Sequence, residues 1–310
     1  MEEFRHVEEV AEKIASMEIR GAAKIAQSAA LALKQFALHY QGRELQEFRR
    51  KLERAAEILL SSRPTAVSLP NAVSHVLMRA SDAGSVEELR EAIARAADEF
   101  VRRSERAIAE IGRIGARRIS SGDVVMTHCN SRAALSVITE AHRQGKDISV
   151  IATESRPRGQ GYITSRYLAE QGIDVTLIVD SAVRAFMKDV DKVVVGADSI
   201  AANGAVVNKI GTSQIALAAH EARVVFMVAA ETYKFHPGTV IGALVEIEER
   251  PPEEIVNPAE FRGVRIRNPA FDVTPPEYID LIITEIGVIP PQAAIMVLRE
   301  EFGRSCGNGC

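Results

Sequence analysis

The sequence predicts an α/β protein in which an N-terminal helical domain precedes a doubly wound parallel sheet. Two observations support this prediction. Residues 1 to about 116 carry apolar side chains at helical spacing, and from Ser121 onward short, continuous runs of β-branched residues replace that pattern. Such runs are typical of strands that are buried on both faces of a parallel sheet. Because stretches of crossover length separate the first five runs, a βαβ succession is expected.

The helical domain, expected to span residues 1–116, divides into five predicted helices. These are 5–17, 21–40, 46–61, 71–80 and 85–114. Pro64 and Pro70 separate the third helix from the fourth. Ser85 and Glu88 form a capping box, which predicts the start of the fifth helix.

The second domain, residues 117–310, is expected to be a Rossmann-like α/β domain. The apolar runs that predict its strands begin at Val124, Ile148, Val175, Val193, Val224 and Leu281. The predicted crossover helices are 132–144, 161–171, 181–187 and 213–220. A proline-rich stretch from Pro251 to Pro276 predicts a long irregular segment before the last strand.

The composition excludes several classes of protein. Of 310 residues, 46% are hydrophobic and 26% are charged, which is usual for a globular chain. The formal net charge of −4 gives no polyanion-binding signature, so no nucleic-acid partner is expected. No apolar run approaches the roughly 18 residues of a membrane span, and the first residues lack the apolar core of a signal peptide. A cytoplasmic protein without a membrane partner is therefore expected.

The three cysteines are too few for a disulfide scaffold. Cys306 and Cys310 lie in a glycine-rich tail, where two exposed thiols are favoured over a disulfide, a metal site or a link to a partner chain. Cys129 differs because it directly follows a predicted strand. This position favours a functional thiol over an inert buried one, since a helix N-terminus and nearby cations stabilise a thiolate.

The most informative segment is Val193–Ser213. A buried strand is followed by the carboxylate of Asp198, the pair Asn203–Gly204 reverses the chain, and Asn208–Ser213 opens a helix. Ligands of open α/β sheets bind at the carboxyl ends of the strands. A Gly/Ser/Thr-rich helix start offers free N–H groups to a phosphate. The segment therefore indicates chemistry on a phosphorylated small molecule.

Other strand ends also carry polar side chains. Arg156 and Arg158, held in a Pro/Gly-constrained loop, are interpreted as an anion clamp rather than a solvated turn. Asp180 is interpreted as the cap of the helix that follows it, and His128 as a structural residue. Lys234 is either a second phosphate contact or an exposed lysine. Together the candidate cations exceed what one phosphate requires, so a bisphosphate is inferred.

Cys129 and Asp198 are predicted to form a proton-transfer pair. An aldose–ketose isomerisation needs a base for the C2 proton and a group that moves protons between O1 and O2. A thiolate suits the first role, and a carboxyl whose pKa is raised by burial suits the second. The histidines do not fall at metal-ligand spacings with carboxylates, so no metal is expected.

Motifs along nearly the whole chain resemble those of a superfamily of sugar-phosphate isomerases. They are Ile19–Ala22, Arg63–Thr65, Thr127–Asn130, Glu154–Gly161, Val195–Gly204, Asn208–Thr212, Ile247–Arg250, Asn268–Pro275 and Thr284–Gly287. The superfamily contains methylthioribose-1-phosphate isomerases, archaeal ribose-1,5-bisphosphate isomerases, and the alpha, beta and delta subunits of the guanine-nucleotide exchange factor for eukaryotic translation initiation.

Within this superfamily the chain most resembles the ribose-1,5-bisphosphate isomerases. Ser131–Arg132 stands where the methylthioribose enzymes carry small residues, and Ala66–Asn71 contains no aromatic residue. Lys234 is similar to a cation of the bisphosphate and regulatory branches. The regulatory subunits commonly lack the cysteine–aspartate pair. A methylthioribose-1-phosphate isomerase and a non-catalytic nucleotide-sensing subunit remain the alternatives.

The resemblance implies conversion of ribose 1,5-bisphosphate to ribulose 1,5-bisphosphate through a cis-enediol, in AMP degradation. Cys129 would be the C2 base and Asp198 the proton shuttle between O1 and O2. The implied substrate-binding residues are Arg20, Gly21, Ala22, Ala23, Arg63, Ser131, Arg156, Gln160, Asn208, Lys209 and Lys234. The resemblance further implies no cofactor, AMP as an allosteric activator, and a homo-oligomer in which dimers assemble into a hexamer.

Overall fold

The computed structural model describes residues 2–63, 65–242 and 245–302. The chain divides into two compact units, Met1–Arg106 and Ala107–Cys310. The division lies within the fifth helix, whereas the boundary predicted from the sequence lies at the end of that helix. No helix in the described part of the chain is both long and apolar enough to cross a membrane.

Five α-helices occur in the described residues up to 116, as the sequence predicted. They are α1 (Arg5–Ala15), α2 (Ala22–His39), α3 (Leu45–Ser62), α4 (Ser68–Met78) and α5 (Val86–Ala116). The predicted cap of α5 is confirmed, because the N–H of Glu88 donates to Oγ of Ser85 at 3.1 Å. The Glu88 carboxylate accepts from the N–H of Gly84 at 2.7 Å, one residue before the expected donor.

The second unit is built on a seven-stranded sheet, and all six predicted strands belong to it. Its strands are β1 (Val124–Thr127), β2 (Ser149–Thr153), β3 (Asp174–Ile178), β4 (Lys192–Val195), β7 (Val225–Ala229), β9 (Leu281–Thr284) and β10 (Gly287–Ile289). The order is β10-β9-β7-β4-β1-β2-β3. All neighbouring pairs are parallel except β9 and β10.

Helices cover both faces of this sheet, which confirms the doubly wound architecture. They are α6 (Arg132–Arg143), α7 (Gln160–Glu170), α8 (Val183–Phe186), α9 (Thr212–Ala222) and α10 (Ala294–Phe302). Val125 of β1 packs in one core with α6 and α7, and its neighbour Met126 packs in another core with α9 and α10. Side chains alternate across the central strand, so the strand is apolar on both faces.

Two predictions for this unit are wrong in detail. The run at β3 was expected to be buried on both faces, but β3 is the edge strand and Leu177 is 45% exposed. The predicted helix 181–187 is a single α-turn, α8, between two 3₁₀ turns. In both cases the residue pattern correctly predicted regular structure. The burial of β3 and the length of α8 depend on the elements packed around them, which the local pattern does not show.

A second, antiparallel sheet was not predicted. It consists of β5 (Ser199–Ile200), β6 (Val206–Lys209) and β8 (Phe271–Thr274), in the order β5-β6-β8. The predicted reversal at Asn203–Gly204 is confirmed as the turn between β5 and β6, with Gly204 at φ +87°. Asn208 and Lys209 therefore lie at the end of a strand and not in the first turn of a helix.

Candidate active site

The strand order places the cysteine and the aspartate at the same point of the sheet. From β1 the chain continues to β2 and β3 on one side, and from β4 it continues to β7 and β9 on the other. Cys129 follows β1 and Asp198 follows β4, and these two strands are parallel neighbours. Ligands of doubly wound sheets bind where the strand order reverses in this way.

The backbone of Cys129 is held in a left-handed conformation with φ +66°. Its N–H donates to Oγ of Ser155 at 2.8 Å, and its carbonyl oxygen accepts from the Thr164 hydroxyl at 2.7 Å. A non-glycine residue adopts this conformation at a cost, and the surrounding structure must impose it. Residues that follow β2 therefore fix the turn that carries the thiol.

His128 joins this turn to the segment after β6. Nε2 lies 2.9 Å from the carbonyl oxygen of Ile210, which can only accept, so Nε2 carries the proton. Nδ1 accepts from the Thr153 hydroxyl at 2.5 Å. Burial lowers the pKa of His128, which keeps the ring neutral. These contacts agree with the structural role predicted for His128, and its bond to Ile210 joins the turn of Cys129 to the segment that carries Lys209.

The thiol is not activated in the way that the sequence predicted. Burial raises the pKa of Cys129 to about 11. The charge of Lys209 lowers this pKa, and the charge of Asp198 raises it. The expectation of a favoured thiolate is therefore wrong, because desolvation outweighs the nearby cation and the helix start. At neutral pH the thiol is therefore mostly protonated, and the thiolate is a minor species.

This pKa can be measured through the alkylation rate of Cys129 by iodoacetamide. In a Cys306→Ser, Cys310→Ser background, we expect the rate to rise about tenfold per pH unit and to level off only near pH 11, because the thiolate is the reacting species. Asp198→Asn should lower the midpoint, and Lys209→Met should raise it. A midpoint close to about 8.5, the value of an exposed thiol, would contradict the effect of burial.

The carboxylate of Asp180 does not cap its own helix, so that prediction is wrong. It accepts from the N–H of Ser155 at 2.8 Å and from the N–H of Arg156 at 2.7 Å. The Arg156 guanidinium is exposed and donates to the carbonyl oxygen of Ile255 at 3.3 Å. Asp180 thus holds the loop after β2, while the anion clamp of Arg156 and Arg158 stays a prediction.

Gln160 begins α7 with a polar group that the protein leaves unsatisfied. The residue is 9% exposed, and its amide oxygen has no hydrogen-bond partner among the described residues. A Cβ on the adjacent Gly161 would lie 1.7 Å from the carbonyl oxygen of Thr153, so glycine lets the start of α7 touch the end of β2. A buried, unpartnered amide at the carboxyl edge of the sheet is suited to a ligand contact.

Asn208 and Lys209 are fixed by the first residues of α9. The Asn208 amide donates to Oγ1 of Thr212 at 3.0 Å, and the Thr212 hydroxyl donates to the Lys209 carbonyl oxygen at 2.6 Å. Nζ of Lys209 lies 5.0 Å from the centre of the Phe271 ring. Lys209 is 8% exposed, and within the described ranges no carboxylate reaches ion-pair distance of it. A buried cation in this state is a strong anion-binding group.

The helix start after Lys209 is already occupied by a side chain. Oδ2 of Asp272 accepts from the N–H of Gly211 at 2.7 Å and from the N–H of Ser213 at 3.1 Å. For these two N–H groups, the expected binding of phosphate is therefore wrong. Sequence reasoning missed Asp272, because it lies far downstream in a stretch that was interpreted as irregular. Two signals were available: the superfamily motif Asn268–Pro275, which contains Asp272, and the pattern Phe271-Asp-Val-Thr, which is compatible with a short strand.

Lys234 lies in a 3₁₀ turn after β7, and it is not an exposed lysine. It is 5% exposed, and its Nζ pairs at 2.7 Å with the carboxylate of Glu231, which is fully buried. The Tyr233 hydroxyl donates to the same carboxylate at 2.9 Å. An ammonium group has three donors, so one ion pair leaves Lys234 able to bind a phosphate. Sequence reasoning gave no role to Glu231.

Ser131 and Asp198 are positioned by contacts at the same edge. Oγ of Ser131 accepts from the N–H of Ala134 at 3.3 Å, and this bond caps α6. A Cβ on Gly196 would lie 2.2 Å from that oxygen, so glycine allows the chain leaving β4 to pass the start of α6. The N–H of Asp198 donates to the Val207 carbonyl oxygen at 2.9 Å.

The remaining predicted binding residues belong to the helical unit. Within Arg20–Ala23, Arg20 is exposed and Gly21 has φ +87° immediately before α2. Arg63 is 9% exposed at the end of α3. The Ser68 hydroxyl donates to the Ala22 carbonyl oxygen at 2.9 Å, so the chain after Arg63 meets the start of α2.

In the part of the chain that the structure describes, no three His, Cys, Asp or Glu side chains are grouped so as to hold a metal ion. The predictions for Cys306 and Cys310 lie outside the described residues.

A thiol and a carboxylate at the switch point of a doubly wound sheet, beside a buried lysine, define a candidate site for a phosphorylated ligand. The chain belongs to the Initiation factor 2 subunit family, which it matches over residues 18–291. It is 56% identical to the ribose 1,5-bisphosphate isomerase of Methanocaldococcus jannaschii, over 98% of this chain and 97% of that relative.

Two solved structures have the same fold. One is that of the Pyrococcus horikoshii OT3 translation initiation factor eIF-2B, with a TM-score of 0.80 and 35% identity over 93% of this chain and 98% of that one. The other is that of 5-methylthioribose 1-phosphate isomerase from the same organism, with a TM-score of 0.78 and 32% identity over 96% of this chain and 88% of that one. The chain is thus similar to enzymes and to a translation factor alike.

Proposed function

We propose that this chain is an aldose–ketose isomerase that converts ribose 1,5-bisphosphate to ribulose 1,5-bisphosphate. The observation that carries the proposal is the position of Cys129 and Asp198 at the β1–β4 switch point, next to the buried ammonium group of Lys209, which no carboxylate of the described residues reaches. The high identity to a relative of that name supports this choice of substrate.

In the reaction two atoms gain a proton and two atoms lose one. The C1–O4 bond of the ring breaks and O4 gains a proton, while C2 loses its proton and an enol forms between C1 and C2. C1 then gains a proton as the O2 hydroxyl loses one, which gives the ketone. O1 carries a phosphate throughout and takes no proton, so the intermediate is a cis-enediol with one esterified oxygen.

In this proposal Cys129 removes the C2 proton and returns a proton to C1. One base can serve both carbons, because in a cis-enediol they present the same face to it. Asp198 gives a proton to O4 and takes one from O2. The resemblance implied a shuttle between O1 and O2, but the ester at O1 moves that role to O4 and O2. The charge of Lys209 favours the thiolate that the first step requires.

The proposed phosphate contacts of the second unit are Asn208, Lys209 and Lys234, while Ser131, Arg156 and Gln160 line the pocket. In the helical unit we propose Arg20–Ala23 and Arg63 as phosphate-binding residues, on the resemblance alone. The resemblance also supports a cytoplasmic homo-oligomer of dimers assembled into a hexamer, no cofactor, and AMP as an activator. Sedimentation analysis tests the proposed hexamer. Turnover measured with and without AMP tests AMP as an activator.

The substrate is tested by incubating the purified protein with ribose 1,5-bisphosphate and, separately, with methylthioribose 1-phosphate. We expect turnover of the bisphosphate, measured as ribulose 1,5-bisphosphate formed. Turnover of the methylthio sugar alone would reject the proposal in favour of the related isomerase. A folded protein that binds AMP and turns over neither sugar would be a nucleotide-sensing subunit instead.

The role of Lys234 can be tested separately from its ion pair. Lys234→Met alone would leave the Glu231 carboxylate buried and unpaired, which is strongly destabilising. We therefore compare Glu231→Gln with the double variant Glu231→Gln, Lys234→Met. The second change should raise KM for the bisphosphate by roughly 10- to 100-fold, the value of a charged hydrogen bond, while Lys188→Met on the surface should not. An equal KM in the two Glu231→Gln backgrounds would remove Lys234 from the site.

A further inference from the structure

The carboxylate of Asp272 holds the turn that links the substrate-binding strand to its helix. It lies on β8 and bonds to N–H groups of Gly211 and Ser213, on either side of the first residue of α9. We propose that Asp272 is a positioning residue of the isomerase site, which places Asn208 and Lys209 for phosphate binding through the bonds that its Oδ2 accepts. This inference rests on the proposed function.

Strand β6, which carries Asn208 and Lys209, is paired with β8 along its whole length. Asn208 is the register partner of Asp272, and Lys209 is the register partner of Phe271. The next residue, Ile210, donates its N–H to the Ala270 carbonyl oxygen at 3.0 Å. The backbone ladder ends there, and beyond Ile210 the Asp272 carboxylate continues the hydrogen bonding from β8 to the turn.

The Asp272 side chain is suited to hold this turn. Hydrogen bonds from backbone N–H groups to a carboxylate are charge-assisted, and a negative charge at a helix start is favourable. Burial raises the pKa of Asp272 to about 6, while the bonds from Ser213 and Gly211 lower it. The group is therefore mainly ionised at neutral pH and keeps both bonds.

The same contact engages two of the N–H groups at the start of α9. With the Gly211 and Ser213 N–H groups taken, a phosphate near Lys209 depends more on side chains than on this helix start. The position of Nζ of Lys209 over the Phe271 ring, at 5.0 Å, then becomes critical. A loosened turn would move the cation and the Asn208 amide together, because Thr212 bonds to both residues.

The test measures kcat and KM for ribose 1,5-bisphosphate in the wild type and in Asp272→Ala, with Asp272→Asn as the conservative variant. Asp280→Asn is the matched control, since the Asp280 carboxylate accepts the Phe226 N–H at 2.8 Å at the amino end of the strands. We expect Asp272→Ala to raise KM by roughly 10- to 100-fold and to leave kcat within about threefold. Asp272→Asn, which keeps an oxygen for the two N–H groups, should have a smaller effect.

Formate provides a chemical rescue of the lost carboxylate. Added to Asp272→Ala, it should return KM to within about threefold of the wild type, because it can accept the same two N–H bonds; wild-type kinetics should not change. The inference is overturned if KM of Asp272→Ala stays within about twofold of the wild type, or if Asp280→Asn raises KM equally. It is also overturned if formate has no effect on a folded Asp272→Ala protein. An inactive wild type would instead reject the proposed function.

Discussion

Replacing Cys129 with serine is expected to lower kcat for ribose 1,5-bisphosphate by about 10³-fold or more, within the range of a lost general base. A serine hydroxyl holds its proton far more tightly than a thiol, so the ionised group that removes the C2 proton would not be populated. The substitution replaces only the side-chain sulfur atom with oxygen. Turnover followed as ribulose 1,5-bisphosphate formed measures the effect directly.

Substrate binding should survive this change, because the contacts that fix the turn are made by the backbone of Cys129. Its N–H bond to Ser155 and its carbonyl bond from Thr164 do not involve the sulfur. Calorimetric titration with ribulose 1,5-bisphosphate checks that affinity is retained. Cys306→Ser and Cys310→Ser serve as matched controls and should leave turnover unchanged. If Cys129→Ser turned over substrate at the wild-type rate, another base would perform the reaction.

The parts of the fold that the sequence predicted are those determined by local periodicity. An apolar run such as that of β4 is recognisable because both faces of the strand are buried, so nearly all of its residues are apolar. The candidate catalytic pair was predictable for a related reason. Cys129 and Asp198 directly follow such runs, and parallel strands bring their carboxyl ends to one edge whatever their order in the sheet.

Contacts made across long separations in sequence were not predictable. The bond from Gly211 to Asp272 joins residues far apart in the chain, and β8 has only four residues in a proline-rich stretch. Asp180 was assigned to its nearest helix, whereas its partner Ser155 follows a neighbouring strand. Local patterns carry no information on which of several distant N–H groups a carboxylate will meet.

The ionisation of the thiol was mispredicted for a different reason. The expectation for Cys129 counted the neighbouring charges and the helix start, which the sequence reveals. It left out desolvation, the largest contribution, which depends on how the folded chain packs around the sulfur. A group at the end of a strand can thus be identified from the sequence, while its pKa requires the packed structure.

Asp198→Asn is the second change with a large expected effect. Whether turnover falls or rises distinguishes a role in proton transfer from a role through charge alone. The substitution keeps the shape of the side chain but removes its ability to pass a proton. We expect kcat to fall by about 10²- to 10⁴-fold, the usual range for a lost acid–base group. The N–H bond from Asp198 to the Val207 carbonyl oxygen belongs to the backbone, so the local fold should persist.

An effect of charge alone would act in the opposite direction. The Asp198 carboxylate raises the pKa of the Cys129 thiol, so its removal should lower that pKa and increase the thiolate population at a given pH. If Asp198 acted only through its charge, Asp198→Asn would therefore turn over substrate faster at neutral pH. A lower alkylation midpoint for Cys129 together with a large loss of turnover would show that Asp198 transfers protons. A lower midpoint with equal or faster turnover would remove it from the mechanism.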